Sequence, residues 1–92
     1  MEIIIQYEAQ LRDLAGKSEM TVDMPQDATI PDAMKTATAG NEGLCNRILR
    51  EDGISHTVLV FVNEQPVSRG DIKKHILNDG DTVLLLPPIS GG

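Results

Sequence analysis

The stretch Val58-Leu59-Val60-Phe61-Val62 is apolar at every position. Successive side chains of an extended strand leave opposite faces, so Val58, Val60 and Val62 share one face and Leu59 and Phe61 the other. Such a strand has two surfaces to cover. It belongs at the centre of a sheet, or it carries helices on one face and a partner protein on the other. The predicted strand runs from His56 to Val62. The rest of the chain has to supply strands beside it and helices over it.

Two further strands read clearly at the start. Met1 to Tyr7 is β-branched, with Ile3, Ile5 and Tyr7 on one face. Ser18 to Met24 alternates, with Met20, Val22 and Met24 on one side and Glu19, Thr21 and Asp23 on the other, and Pro25 stops it. Only Ala9 to Ala15, one or two helical turns ending at Gly16, separates them. The connection is short, so the pair is antiparallel.

Thr29-Ile30-Pro31-Asp32 opens the main helix. Thr29 can cap it, Asp32 completes a capping-box pattern, and Pro31 sits where its missing N–H is harmless. Ile30, Met34 and Ala37 recur at helical spacing. Leu44, Ile48 and Leu49 predict a second short helix over 42–50, and Glu51-Asp52-Gly53 a turn. Asn63 to Pro66 reads as a turn, with Val67 starting a short return strand. Residues 71–77 read as a helical turn through Ile72, Ile76 and Leu77. Asn78-Asp79-Gly80-Asp81 is a turn before a last strand, Thr82 to Leu86. This order is α+β, with a mixed sheet under one helical layer.

Composition narrows the function. Ninety-two residues make one small domain, and 40% apolar content is enough for a core. One Tyr, one Phe and no Trp leave little to stack on bases or flat ligands. Eight Lys and Arg against 14 Asp and Glu give a net charge of −6. That balance disfavours nucleic acid and anionic membranes, which need a basic face, and suits a basic protein partner. Met1-Glu2-Ile3-Ile4-Ile5 lacks the basic start of a signal peptide, and no apolar run approaches the ~20 residues that span a bilayer. The cytosol is the default location.

Few side chains suggest chemistry. Cys45 is the one cysteine; it lies in a helical pattern beside Leu44 and reads as a small apolar residue rather than a nucleophile. His56 and His75 have no partner at metal-ligand spacing. Asp79 and Asp81 are too few for a calcium loop. Arg69-Gly70-Asp71 reads as a turn and Lys73-Lys74 as a solvated pair. The distinctive feature is the end, Leu84-Leu85-Leu86-Pro87-Pro88-Ile89-Ser90-Gly91-Gly92. Pro87 and Pro88 cannot donate ladder hydrogen bonds, so the sheet should stop there. Gly91 and Gly92 carry no side chains, so an enzyme could draw this tip into a narrow channel and act on a terminal carboxylate. The expected division is a folded domain over 1–88 and a flexible tail over 89–92.

Several stretches resemble one family. Ala9-Gln10-Leu11-Arg12-Asp13-Leu14-Ala15-Gly16 resembles the segment after the first strand in MoaD/ThiS proteins, which are small ubiquitin-like sulfur carriers. Val62-Asn63 with Val67 resembles their hairpin, and Leu77-Asn78-Asp79-Gly80-Asp81-Thr82-Val83 their Asp-Gly-Asp turn. Leu86 to Gly92 resembles the end of the molybdopterin synthase small subunit. The stretch from Gly40 to Thr57 is longer than in the shortest members, nearer to carriers for cysteine synthesis or to archaeal ubiquitin-like modifiers. The resemblance implies a β-grasp fold. Its mixed four- to five-stranded sheet packs on one main helix with short extra helices, and the first and last strands lie at the sheet centre.

The resemblance also implies a function without catalysis by the chain itself. An α-carboxylate with a pKa of about 3.5 is ionised at neutral pH and is a poor electrophile. A ubiquitin-activating-type adenylating enzyme would use ATP to form an acyl-adenylate on Gly92, and a sulfur donor would displace AMP to leave a thiocarboxylate. A large synthase subunit, or another sulfur-accepting enzyme, would take the sulfur. The implied site is Gly92 with Gly91, and the implied partner-binding residues are Pro87, Pro88, Ile89, Leu84, Leu86 and Phe61. No metal or resident cofactor is implied. The pathway stays open between molybdopterin, thiamine, cysteine and secondary metabolites, as does conjugation of Gly92 to target proteins. Either Leu84 with Leu86, or Val83 with Leu85, packs under the helices; the other pair is a candidate docking patch that Leu59 and Phe61 extend.

Overall fold

In the computed structural model, which describes residues 1–87, ten elements follow one another. They are β1 (Glu2–Tyr7), α1 (Ala9–Ala15), β2 (Glu19–Asp23), α2 (Ile30–Ala37), α3 (Glu42–Ile48), β3 (Leu49–Arg50), β4 (Gly53–Ile54), β5 (Leu59–Val62), β6 (Gln65–Pro66) and β7 (Thr82–Leu86). Five strands form one mixed sheet in the order β2-β1-β7-β5-β6. The first and last strands pair in parallel at its centre, Ile4 opposite Thr82 and Gln6 opposite Leu84. A parallel pair needs a long crossover, and here all the chain between β1 and β7 serves as one. This is the β-grasp arrangement.

Strand alternation sets what is buried. Ile3, Ile5 and Tyr7 of β1, Val60 and Val62 of β5, and Val83 and Leu85 of β7 point into one core. Ile30, Ala33, Met34, Ala37 of α2 and Leu44 and Ile48 of α3 cover them. The capping box forms as the residues require. The Asp32 N–H donates to Thr29 Oγ1 and the Thr29 N–H donates to Asp32 Oδ2 at 3.0 Å. The backbone hydrogen bond from Thr29 holds the Asp32 carboxyl below the usual carboxylate range. Gly16 ends α1 in the left-handed conformation.

Four boundaries differ from expectation. The strand expected over 56–62 starts only at Leu59, because the Arg69 guanidinium takes the carbonyls of Ser55, His56 and Val58 and holds that segment in a turn. β5 does lie inside the sheet, between β7 and the two-residue β6. The second short helix ends at Ile48, where Leu49 turns extended and begins a small ribbon with β4. The return strand of the hairpin starts at Gln65, because Asn63 and Glu64 both have positive φ and make a two-residue turn. Residues 69–74 form successive turns rather than a helix. Leu77 then donates to Ala28 O and Ile76 bridges to Thr29, which leaves Ile76 47% exposed while Ile72 and Leu77 are buried.

The single tyrosine gives a direct check of this core. Tyr7 is buried, its hydroxyl lies 3.5 Å from Met20 Sδ, and burial pushes its pKa up to about 12. Its contribution to stability is complete below the unfolded value of 10.0 and is lost as pH rises through about 12. Tyrosinate absorbance of the native protein should therefore rise about two units later than that of the urea-unfolded chain. Coincident midpoints would mean that the phenol is not buried.

Candidate functional site

The site begins at the turn that launches β7. Gly80, with a left-handed φ of 86°, donates its N–H to Glu2 O at 2.8 Å. The Glu2 N–H donates to Asp79 Oδ1 at 2.7 Å. Asp81 is buried and accepts twice, from the Asn78 N–H and from Asn63 Nδ2, each at 2.8 Å. Asn63 Oδ1 in turn accepts from the Thr82 N–H at 3.0 Å. These carboxylates are acceptors for backbone and amide groups, and they fix the start of β7 against β1 and β5. The Asn63 side chain is the part that reading the sequence missed. Its place in a turn was legible, but its reach across to Asp81 was not.

From there β7 alternates. Val83 and Leu85 are fully buried beneath the helices, so Leu84 and Leu86 lie on the opposite, open face of the sheet. Phe61 stands opposite Leu84, and Leu59, 50% exposed, stands opposite Leu86. Pro66 of β6 lies opposite Phe61, and Ile4 of β1 lies opposite Thr82. Cross-strand neighbours of this kind sit close enough to make one continuous surface. The sheet therefore has a second apolar face that no element of the described chain covers. Of the expected docking residues, Leu84, Leu86 and Phe61 come together here. Leu59 extends them, and Ile4 and Pro66 join them. Ile4 was findable from the alternation of β1, since it falls between Ile3 and Ile5.

Pro87 is buried at the end of β7. Pro88, Ile89, Gly91 and Gly92 lie outside the described residues. The remaining candidates stand apart from this face. Cys45 is half-buried on α3. Arg69 is engaged by three carbonyls and Asp71 Oδ2 accepts from Ser68 Oγ at 2.8 Å, so the Arg-Gly-Asp stretch is part of a structural turn. Among the described residues no group of three or more His, Cys, Asp or Glu is placed to hold a metal ion. No described helix is long and apolar enough to cross a membrane.

The ThiS family model matches residues 5–92, nearly the whole chain. The chain belongs to the MoaD/ThiS family of ubiquitin-like small proteins. The family's members are carriers or modifiers rather than catalysts. Small archaeal modifier protein 3 of Haloferax volcanii is 29% identical over 92 residues, with both chains fully covered. The molybdopterin synthase sulfur carrier subunit of Chlamydomonas reinhardtii is 32% identical over 92 residues, again with full coverage of both. The crystal structure of SAMP1 from Haloferax volcanii superposes with a TM-score of 0.85 at 27% identity, covering 100% of each chain. This member of the family shares the fold of that structure.

The two faces of β7 should differ sharply in mutational cost. Leu85→Ala removes a fully buried side chain and should cost about 3 kcal/mol or more. Leu84→Ala, one residue away on the open face, should cost less than about 1 kcal/mol. Urea unfolding of the two variants measures both, and equal losses would mean that the faces are wrongly assigned.

Proposed function

We propose that the chain is a sulfur carrier that works through the carboxylate of Gly92, and that the acceptor of its sulfur is the precursor of molybdopterin. The observation that carries this reading is the position of the open apolar face. Leu84 and Leu86 belong to the same strand that leads into Pro87-Pro88-Ile89-Ser90-Gly91-Gly92. An enzyme that grips Leu84, Leu86 and Phe61 is thereby held beside the root of the tail. Gly92 is the sixth residue after Leu86, a reach of at most about 22 Å. The active site of the partner is then within one short extension of the docking surface.

The chemistry follows from the carboxylate. An oxygen of Gly92 attacks the α-phosphorus of ATP in an adenylating enzyme of the ubiquitin-activating type, and pyrophosphate leaves. Hydrosulfide, delivered by a sulfur donor, attacks the resulting acyl carbon and loses its proton, and AMP leaves with the former carboxylate oxygen. The thiocarboxylate keeps one oxygen and one sulfur, and is ionised and nucleophilic. Delivered into a large synthase subunit, its sulfur attacks the small-molecule acceptor, and water then cleaves the acyl C–S bond, leaving the sulfur on the acceptor and the carboxylate of Gly92 restored. The chain contributes no acid, base or nucleophilic side chain to these steps. Gly91 and Gly92 keep the tip slim, and Pro87 and Pro88 limit the backbone freedom of its root. The Pro-Pro-Ile segment and the 32% identity to the Chlamydomonas carrier subunit support the molybdopterin assignment.

A second reading has its own support. The 29% identity to small archaeal modifier protein 3 and the likeness to SAMP1 favour conjugation of Gly92 to protein amines. The same activated carboxylate serves either fate, with an amine in place of the sulfur donor.

Mass spectrometry of the chain purified from its own cells separates the two. The mass gain of one oxygen-to-sulfur exchange at Gly92 is the expected result, and isopeptide-linked targets without it would favour the modifier. Gly92→Ala should lower thiocarboxylation sharply in a reconstituted assay while leaving thermal unfolding unchanged. An unaltered rate would mean that activation of the terminal carboxylate does not require a tip without side chains.

A further inference from the structure

The charges around the open face are one-sided. The five strands of the main sheet contain no lysine or arginine. Glu2 of β1, Glu19 and Asp23 of β2, and Glu64 in the β5–β6 turn are all exposed. Along the strands, Glu2, Glu19 and Asp23 alternate with side chains that enter the core, so they share the open face with Leu84 and Phe61. Glu2 stands directly opposite Asp23 in the antiparallel register, a pairing of like charges that disfavours the free sheet. Among the described residues the only ion pair here is between the Met1 amino group and Asp23, at 3.4 Å. All eight Lys and Arg lie outside these strands: Arg12, Lys35 and Arg47 on the helices, Arg50 on β3, Lys17 in the loop before β2, and Arg69, Lys73 and Lys74 in the loop after β6.

We propose that the open face docks an adenylating enzyme whose matching surface is apolar opposite Phe61 and Leu84 and basic along the side that meets β2. This rests on the reading above that such an enzyme grips this face. Apolar burial at the centre supplies affinity, while the flanking carboxylates set orientation and association rate. A sheet face whose strands carry only acidic charges, with every lysine and arginine on the helices, the small ribbon or the loops, makes the small domain turn this sheet toward a basic surface as the two approach. The like-charged pair Glu2 and Asp23 is relieved when a lysine or arginine of the partner comes between them.

The test is the association rate of the chain with the adenylating enzyme encoded in the same genome, followed by stopped flow against salt concentration. Glu2→Lys with Glu19→Lys should slow association at least about tenfold at low salt. The gap from the unaltered chain should close near 1 M salt, where the screening length falls to about 3 Å. Asp13→Lys with Glu51→Lys makes the same change in net charge at exposed positions off this face and should have a much smaller effect. Glu19→Lys alone, at a solvent-facing edge position, should shift the rate in the same direction and covers the case in which the double variant is destabilised. Equal effects of the two double variants, or a wild-type rate that ignores salt, would overturn the proposal. Pyrophosphate release is read in parallel. Its absence with the unaltered chain would overturn the carrier reading and this one with it, whereas normal release with no salt effect overturns this one alone.

Discussion

The parallel pairing of β1 with β7 is the constraint on which the rest of the fold depends. It joins the two ends of the chain at the middle of the sheet. Nothing local makes it, since parallel neighbours cannot be linked by a tight turn. It is held at one end by the Asn78–Asp81 turn, where Glu2 and Ile4 exchange backbone hydrogen bonds with that turn and Asp79 accepts from the Glu2 N–H. With β7 in place, β5 has a partner and the helices have a surface to cover. The open row of Leu84, Leu86, Phe61 and Leu59 is aligned by the same register.

Local signals in the sequence were read well where local physics decides the outcome. Thr29 and Asp32 announced the start of α2, Gly16 the end of α1, and the alternation from Glu19 to Asp23 the β2 edge. The boundaries that shifted were decided by distant groups. Nothing near Ser55 to Val58 says that Arg69 will occupy their carbonyls, so the strand there looked three residues longer than it is. Nothing near Ile76 says that it will bridge to Thr29 instead of turning inward. Both are long-range hydrogen bonds that apolar periodicity does not record.

The candidate site shows the same division. Alternation alone establishes that Leu84 and Leu86 share a face and that Val83 and Leu85 share the other, but not which pair is inside. That depends on which side of the sheet α2 and α3 occupy, a property of the crossover and not of β7. The Gly-Gly end, by contrast, needed no structure to attract notice. Family membership gives that end a chemical context, and the open face belongs to the strand that precedes it in sequence.

The placement of β7 between two strands has a mechanical consequence. A partner that draws on the chain beyond Pro87 pulls along the axis of β7. That strand is bonded on one side to β1 and on the other to β5. Its hydrogen bonds lie across the direction of pull, so two rows of them must yield together in shear, whereas an edge strand would be held by one row. The domain can thus serve as a rigid handle for its own terminus, transmitting tension to the sheet without unravelling from the end that is gripped.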